Sequence, residues 1–540
     1  MKPRALLAFL PLALASCASA PPLYDNLGHG TRAVTAASAA VQPWFDQGLT
    51  LCWGFNHDEA VRSFEQALRL DPSCAMAQWG IALALGPNLN SRPSDEAVWQ
   101  HAYRASREAL ALDGGCTTVE RELITAMQTR YADPPPKDRG DLDRAYAQAM
   151  GEVFARHPDD ADVGTLYADA LMNIDQNWRQ WGTDTTRGEY TPTILSTLAA
   201  VLTAHPEHAG ANHLWIHAVE ASDHPERALD AARRLGSLVP GSGHLVHMPS
   251  HIYIRLGMYQ DAIECNAAAV AQDDAFFALR PSRGTYQGYR AHNHHFLVWA
   301  ALFQGSREIA LDAARAMVGK LRDALGDLPI SYESYLFVPM HVMMRFGMWD
   351  EMLRERAPGE RFTVATALWH HGRAIALANT ERIEEARAEA AAFETVVATI
   401  PKDRRVRRAT IEHLMGAARG MMNGEILFRQ GRQDEAFAAL RDGIAHEDAM
   451  PYSEPPGWMQ PIRHSLGALL LEAGRVAEAE TVYREDLKQH ADNVWSLHGL
   501  AECLRRQDRI AEAVAIETTL QHAAAHADVA ITSSCFCRRK

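Results

Sequence analysis

Two histidine-rich stretches near the middle of the chain have the spacing of metal ligands on helices. One carries His213, His217 and Glu220, and the other carries His247 and His251. Residues three, four and seven positions apart lie on one face of an α-helix, so each stretch presents its polar side chains together. Neutral imidazole with one carboxylate suits zinc, copper or iron rather than magnesium or calcium. The spacing therefore predicts a transition-metal site.

The elements that must position these residues are the helix pairs of a sequence repeat. The clearest unit begins at Val41 and has the residues expected at places 4, 8, 20, 24, 27 and 32 of a tetratricopeptide repeat (TPR). These residues are Trp44, Gly48, Ala60, Phe64, Ala67 and Pro72. Small residues at places 8 and 20 let two helices approach closely, and the proline ends the second helix. The pattern predicts an all-α TPR solenoid, a right-handed superhelix of helix-turn-helix units.

Nine units can be placed by the residue at place 20, which is alanine in eight of them. These anchors are Ala60, Ala228, Ala262, Ala310, Met352, Ala386, Ala436, Ala479 and Ala513. Clear repeats are predicted over residues 41–74, 209–276, 291–400 and 417–525, and degenerate repeats over 75–208, with a long loop at 175–190. Residues 18–40 are assigned to a linker and residues 526–540 to a tail.

Histidine recurs at fixed places of these repeats. In TPR proteins, places 2, 5, 9, 12 and 13 of the first helix face a concave groove, which agrees with the spacing of one helix face. Place 5 is histidine in six of the nine units, although 25 histidines in 540 residues predict fewer than one by chance. The six are His213, His247, His295, His371, His464 and His498. Place 9 adds His217, His251 and His341, and place 12 adds Glu220.

The groove residues fall into a predicted metal set and a predicted ligand set. Neighbouring first helices pack about 10 Å apart, so histidines of adjacent repeats can converge on one ion. We expect this ion, zinc, copper or iron, to be bound by His213, His217, His247 and His251, with Glu220 or His295 completing the set. Candidates for binding a substrate or other ligand are His244, Arg255, His292, His341, Arg345, His371, His464 and His498. An open coordination position would allow hydrolase or oxidoreductase chemistry, and the sequence leaves the reaction open.

A metal-free scaffold is the alternative interpretation. In this case the groove histidines form hydrogen bonds with a peptide, an envelope protein or a small molecule, and the remote His464 and His498 suit that role best. The spread of histidines along the whole array favours the scaffold, whereas the close grouping over residues 213–251 favours the metal site. The sequence has no Gly-rich phosphate loop, no zincin motif and no nucleophile elbow.

The first residues have the pattern of a bacterial lipoprotein signal peptide. Lys2 and Arg4 precede an apolar stretch over residues 5–15, which is too short to span a bilayer. Residues 14–17 match a lipobox, in which Cys17 would be lipidated. The competing interpretation is cleavage by ordinary signal peptidase after Ala18-Ser19-Ala20. That cleavage would leave Pro21 at the N-terminus, and signal peptidase accepts proline poorly there. We therefore expect a signal peptide at residues 1–17 and a periplasmic protein anchored by lipid in the outer rather than the inner membrane.

The charge and the cysteines restrict the remaining function classes. The net charge is −14, and the only basic block is the last three residues, so we expect no nucleic-acid partner. Apart from Cys17, seven scattered cysteines remain, which is not the pattern of a disulfide framework. Cys535 and Cys537 lie in the tail, which we expect to be frayed, and two thiols there are a weak candidate for a metal site.

Several segments resemble a group of bacterial TPR proteins without a settled function. The most specific is the string Gly-His-Leu-Val-His-Met-Pro-Ser-His-Ile-Tyr at residues 243–253. Residues 56–60, 85–88, 213–222 and the loop Glu454-Pro455-Pro456-x-Trp458 also match. The resemblance covers most of the mature chain and implies a TPR solenoid, but it implies no particular reaction.

Overall fold

The fold is built almost entirely of helices, as the repeat pattern predicts. The computed structural model describes residues 21–92, 95–174, 188–280 and 286–539. The predicted lipidation site Cys17 and most of the predicted loop at 175–190 therefore lie outside the described residues. In the part of the chain that is described, the strands are two residues long and form one small hairpin. None of the helices within those ranges is long and apolar enough to cross a membrane.

The described residues of the N-terminal half form helices α1 to α12, six of which, α3 to α8, lie entirely within the segment of degenerate repeats. Their bounds are α1 Gln42–Trp53, α2 His57–Leu70, α3 Ala75–Ala84, α4 Glu96–Ala111, α5 Thr118–Met127, α6 Gly140–Arg156, α7 Ala161–Ile174, α8 Thr191–Ala204, α9 Ala209–Val219, α10 Leu229–Leu238, α11 Gly243–His247 and α12 Pro249–Arg255. Short 3₁₀-helical turns lie at Ala39–Val41, Asp113–Gly115, Gln128–Arg130 and Pro225–Ala228.

The C-terminal half contains helices α13 to α25 and the hairpin. Their bounds are α13 Tyr259–Leu279, α14 Tyr286–Gln304, α15 Arg307–Leu325, α16 Val338–Arg345, α17 Trp349–Arg354, α18 Thr363–Asn379, α19 Ile383–Val397, β1 Arg405–Val406, β2 Ala409–Thr410, α20 Ile411–Arg429, α21 Gln433–Asp448, α22 Ile462–Glu472, α23 Val476–Gln489, α24 Val494–Arg506 and α25 Ile510–Ala523. A further 3₁₀ turn covers Ile330–Tyr335.

Successive helices pack in pairs, and small residues set their separation. All nine anchors at place 20 have no exposed surface. In the first repeat, a Cβ added at Gly48 of α1 would approach the ring of Phe64 of α2 to 2.5 Å, which only displacement of the ring could relieve. Glycine and alanine at these places therefore allow the close approach of the two helices of a repeat.

The superhelix closes on itself, because helices distant in sequence are in contact. Helix α1 packs against α9, and α14 packs against α24. A buried hydrogen bond fixes the second contact, since Trp495 Nε1 of α24 donates to the Leu302 carbonyl of α14 (2.7 Å), and nearby the Tyr259 hydroxyl of α13 donates to the Ala491 carbonyl (2.7 Å). The histidine-rich helices α9, α11, α12 and α14 lie where the N-terminal and C-terminal hydrophobic clusters meet.

Two insertions in the C-terminal repeats reach this central region. The β-hairpin lies between α19 and α20, and a loop of residues 449–461 joins α21 to α22. The loop reaches His251 of α12 through Glu454, and the hairpin reaches the loop through Arg407. These insertions form a wall opposite the histidine-bearing helices.

The C-terminal segment is packed, which corrects the expectation of a frayed tail. Ser534 and Cys537 are each 1% exposed, and Cys535 and Cys537 are joined by a disulfide. The segment lies on the groove side of the last repeats, where Arg345 Nη2 donates to the Ser534 carbonyl (2.5 Å). It is held there because buried polar groups of four helices bond to its backbone and side chains.

Candidate metal centre

Three histidines from two neighbouring repeats form a first trio: His213, His217 and His244. His213 and His217 lie one turn apart on α9, and His244 lies on α11. The Nε2 atoms of His213 and His244 are 3.1 Å apart, and all three residues offer a nitrogen within 4.8 Å of the others. All three rings contact Phe55, at 4.6, 6.2 and 5.2 Å between centroids.

One repeat further along, His247, His251 and His292 form a second trio. His247 ends α11, and His251 lies in the first turn of α12 because Pro249, which lacks an N–H, interrupts the helix at Met248. The Nε2 atoms of His247 and His251 are 2.9 Å apart, and His292 of α14 completes a set within 4.8 Å. These rings all contact Phe296, at 4.7, 4.6 and 4.8 Å.

The two trios have nearly the same geometry and come from the same repeat places. Each combines places 5 and 9 of one repeat with place 2 of the next. In the first trio the ring centroids are 4.8, 4.9 and 6.3 Å apart, and in the second they are 4.8, 4.8 and 5.9 Å apart. The helix break at Met248 therefore does not alter the arrangement.

This grouping differs from the one expected from sequence. The repeat spacing predicts that His213, His217, His247 and His251 bind a single ion, whereas the structure divides them between two trios. The reason is that the place-2 histidines, His244 and His292, extend toward the preceding repeat and complete each pair. Both were predicted as ligand-groove residues rather than as metal ligands.

Hydrogen bonds to the outer ring nitrogens orient three of the imidazoles. His213 Nδ1 donates to the Trp53 carbonyl (2.7 Å), and His247 Nδ1 donates to Asn266 Oδ1 (2.7 Å). The Asn266 amide is itself fixed, since its Nδ2 donates to the Ala262 carbonyl (2.7 Å). With Nδ1 protonated, a neutral imidazole has its lone pair on Nε2. Metal-binding histidines in proteins are oriented in this way by acceptors at the second nitrogen.

Two carboxylates contact Nδ1 of His251, the third oriented imidazole. Its Nδ1 lies 2.7 Å from Glu220 Oε2 and also contacts Glu454 Oε2. The other oxygen of Glu220 lies 3.3 Å from His217 Nδ1, so Glu220 links the two trios. The Tyr452 hydroxyl donates to Glu454 Oε1 and to the Glu220 carbonyl (3.2 Å). The result is an outer layer of acceptors typical of metal sites.

The electrostatic environment favours neutral imidazole, the form that binds metals. Burial lowers the pKa values of His213, His244, His247 and His292 well below the ordinary value for histidine, and neighbouring histidines lower them further. His251 is the exception. Burial opposes its charge, but Glu454 and Glu220 outweigh burial and raise the pKa of His251 to about 10. A metal ion at Nε2 would take the place of the second proton.

A cavity of about 350 Å³ adjoins both trios. Its inner wall includes His217 and His244 of the first trio and His251 and His292 of the second, together with Glu220. The outer wall comes from the hairpin and the 449–461 loop. A small molecule in this space would therefore face imidazoles of both trios.

Several predicted site residues lie elsewhere in the groove. His295, expected to complete the metal set, lies in neither trio: its Nε2 is 2.8 Å from Met459 Sδ, and its Nδ1 is 3.1 Å from Arg407 Nη1. Arg255 donates to the carbonyls of Glu220 (2.6 Å) and Ser222 (3.2 Å). These two residues support the walls of the site.

The remaining predicted groove residues belong to two other regions. His341 and His371 lie on either side of Trp458, with ring centroids 5.0 and 5.4 Å away, and burial lowers their pKa values to about 4 and about 3. His464 accepts a hydrogen bond from Arg345 at Nδ1 (2.7 Å) and donates from Nε2 to Asp486 (2.9 Å). His498 lines a cavity beside the C-terminal segment.

Sequence reasoning missed the residues that the insertions contribute. In the sequence, Glu454 is notable only as part of a loop that resembles one in other TPR proteins, and no pattern distinguishes Tyr452 or Arg407. Glu454 and Tyr452 contact His251 and Glu220, which lie 203 and 232 residues earlier in the chain, so no local spacing connects them. The third ligand of each trio could have been identified from place 2 of the repeats, because His244 and His292 each lie three residues before a place-5 histidine.

Comparisons with known proteins assign no family. No family model matches the chain, and no curated protein matches it. Solved structures similar to it include a human IFIT1 dimer with PPP-AAAA, at 12% identity, covering 88% of this chain and 89% of that one with a TM-score of 0.34. The APC/C hetero-tetramer Cut9-Hcn1 is similar at 12% identity, with coverages of 86% and 76% and a TM-score of 0.32. These scores are too low to carry an argument about function.

Proposed function

We propose that this protein is a TPR solenoid that binds two transition-metal ions, one in each histidine trio, and uses them for chemistry on a small molecule in the adjoining cavity. The observation that carries the proposal is the duplicated arrangement: repeat places 5, 9 and 2 produce two trios of nearly equal dimensions. Three imidazoles per ion would leave a coordination position open, as in catalytic rather than structural zinc sites. Zinc, copper and iron all suit this ligand set.

The facing Nε2 atoms support the same conclusion. His213 and His247 have their protons directed to acceptors at Nδ1, so their Nε2 lone pairs point at His244 and His251 across 3.1 and 2.9 Å. Each of these lone pairs is satisfied either by a proton on the partner nitrogen or by a metal ion that both nitrogens bind. Phe55 and Phe296 cover the trios with apolar surface, which strengthens the interaction of an ion with its ligands.

Export and lipidation remain part of the proposal on sequence grounds. The lipobox at residues 14–17 supports an anchored periplasmic protein, outside the reducing cytoplasm. The scaffold alternative is less well supported in the C-terminal repeats. Their groove is occupied by residues of the chain's own C-terminal segment, which a peptide partner would have to displace.

Metal stoichiometry of single variants tests the two-ion proposal. Purified protein is loaded with zinc, copper or iron, freed of excess metal and analysed by mass spectrometry for metal per chain. We expect two equivalents in the wild type and one in each of His244→Ala and His292→Ala. His224→Ala is the matched control, since this histidine is 59% exposed and belongs to neither trio. Loss of all metal in either single variant would contradict two separate sites, and a metal-free wild type would contradict the proposal as a whole.

A further inference from the structure

We infer that the cavity beside the trios binds a small organic anion, a carboxylate or a phosphate ester, through the hairpin arginines Arg407 and Arg408. The inference rests on the proposed function, because it names the class of molecule on which the metal centre would act. It depends on a part of the cavity that the histidines do not form, namely the outer wall provided by the two insertions.

The hairpin places two consecutive arginines at this wall. Arg405 pairs with Thr410 and Val406 with Ala409, so Arg407 and Arg408 form the two-residue turn. Arg407 has a φ of 54°, the left-handed conformation that such tight hairpin turns require. Both arginines line the cavity. The small hairpin in this helical protein thus presents two guanidinium groups to the space above the histidines.

The hairpin is anchored on both sides, so the position of its turn is fixed. Val406 and Ala409 are buried, and Arg404 pairs with the buried Glu333. Arg407 donates from Nη2 to the Glu454 carbonyl (2.6 Å) and from Nη1 to His295 (3.1 Å). The turn is thus fixed to the loop whose Glu454 carboxylate contacts His251. A turn held in this way is typical of a binding element rather than of a surface connector.

The charges around the cavity favour an anionic ligand. Its lining includes the guanidinium groups of Arg407 and Arg408 and the carboxylates of Glu220 and Glu454. Both carboxylates are already engaged by His251 Nδ1. The guanidinium groups therefore face a cavity whose carboxylates are directed to His251, and metal ions in the trios would add positive charge. Paired arginines are suited to carboxylate and phosphate oxygens, because guanidinium groups present parallel N–H donors.

The dimensions indicate a small, flat molecule. The volume of about 350 Å³ is near the lower end of ligand pockets. Tyr289, Tyr335 and Tyr452 contribute rings to the lining. An anion with a planar body could therefore contact the tyrosines, direct its charged group to the arginines and extend its other end toward the histidines.

Isothermal titration calorimetry of zinc-loaded protein tests the inference with three probes of similar shape: benzoate, phenyl phosphate and the neutral benzamide. Arg408→Gln removes one guanidinium without disturbing the bonds of Arg407, and zinc content is measured on the same samples. Arg387→Gln is the matched control, since Arg387 is exposed on α19 and pairs with Glu384. The carboxylate and phosphate arms identify which anion the site prefers.

We expect at least one of the two anions to bind the wild type more tightly than benzamide, and Arg408→Gln to weaken that binding about tenfold or more while zinc content is unchanged. Arg387→Gln should behave as the wild type. Equal binding of the anions and benzamide, no binding of either anion at millimolar concentration, or an unchanged affinity in Arg408→Gln would overturn the inference. A wild type that binds no zinc would instead contradict the proposed function, so the two failures are distinguishable.

Discussion

Glu454 lies 203 residues from His251 in sequence and yet contacts its Nδ1, so it is the residue that ties the loop insertion to the proposed metal centre. We predict that Glu454→Gln lowers the metal affinity of the second trio about 10- to 100-fold, the usual effect of removing an outer carboxylate from a metal-binding histidine. The reason is that His251 becomes less basic and less firmly oriented. A chelator competition titration measures the change.

The control for this variant is Glu264→Gln on the exposed face of α13. It removes the same charge at a distance from the trios and should leave metal affinity as in the wild type. Equal affinity in Glu454→Gln and Glu264→Gln would show that the carboxylate does not act on the metal site.

Asp486 is a buried carboxylate that stabilises the C-terminal repeats rather than the metal centre. It accepts hydrogen bonds from His464 Nε2 (2.9 Å), Ser496 Oγ (2.7 Å) and Asn493 Nδ2 (3.0 Å). Burial opposes its charge, but the interactions with His464, His490 and Ser496 outweigh burial and hold the pKa of Asp486 far below its usual range. Burial also lowers the pKa of His464, so at neutral pH the contact is a hydrogen bond from a neutral imidazole.

We predict that Asp486→Asn lowers the free energy of unfolding by about 1.5–3 kcal/mol at neutral pH, the range for hydrogen bonds to a charged group. A depressed pKa contributes stability above the unfolded-state value of about 3.9 and loses it as the pH falls toward the folded-state value. The difference between wild type and variant should therefore shrink below about pH 4. Chemical unfolding at neutral and acidic pH measures it, with the exposed Asp323→Asn as control. A difference independent of pH would contradict this account.

At the scale of elements, the C-terminal segment joins helices that are far apart in the chain. The Asp528 carboxylate accepts from the backbone N–H groups of Arg307 and Glu308 (2.7 Å each) at the start of α15. Ser534 Oγ contacts the Tyr483 hydroxyl (2.6 Å) and donates to the His464 carbonyl (3.0 Å). The segment thus connects α15 with α22 and α23.

We predict that deletion of residues 526–540 increases hydrogen exchange in α15, α22 and α23 and lowers the melting temperature, while metal binding by the trios persists. The physical reason is that Arg345, fully buried and above the Trp495 ring at 4.3 Å, loses its carbonyl partner and becomes solvated. Arg539→Gln, which removes only an exposed ion pair with Glu381, is the control. Unchanged exchange in these helices after the deletion would mean that the segment does not stabilise them.

The helices could be predicted from sequence because their determinants are local and repeated. Place 20 is alanine in eight of the nine units and place 8 is glycine in three of them, Gly48, Gly424 and Gly467, and the structure buries all nine anchors completely. The course of the C-terminal segment could not be predicted, because Ser534 and Arg538 bind repeats by contacts that have no fixed sequence separation.

The site was predictable to the extent that it follows the repeat. His213, His217, His247 and His251 were identified as ligands because they recur at places 5 and 9. Their division into trios depends on the reach of side chains between helices. The contribution of Glu454 and the hairpin arginines depends on closure of the superhelix, which brings α21 and α22 back to α12. Neither effect appears in a periodic pattern.

At the scale of the whole molecule, the location of the protein is the expectation that depends on sequence alone. We predict that the wild type partitions with membranes through a lipidated Cys17 and that Cys17→Ser is released or remains unprocessed, because residues 14–17 match a lipobox. Membrane fractionation and mass spectrometry of the mature N-terminus measure this. A soluble wild type that begins at Pro21 would contradict the prediction.

The central claim concerns the six histidines, and the most direct measurement is the metal content of the wild type beside that of the double variant His217→Ala/His251→Ala. Each substitution removes one ligand from one trio, and both side chains line the cavity. Metal per chain is measured after loading with zinc, copper or iron, together with the far-UV circular dichroism and melting temperature of both proteins.

The account predicts two equivalents of metal in the wild type, none in the double variant, and the same helical spectrum in both. It also predicts that metal raises the melting temperature of the wild type alone, because binding to the folded state stabilises it. A wild type that remains metal-free with all three metals, combined with a double variant destabilised by about 1–3 kcal/mol from orphaned hydrogen-bond partners, would show that the histidines serve only the fold.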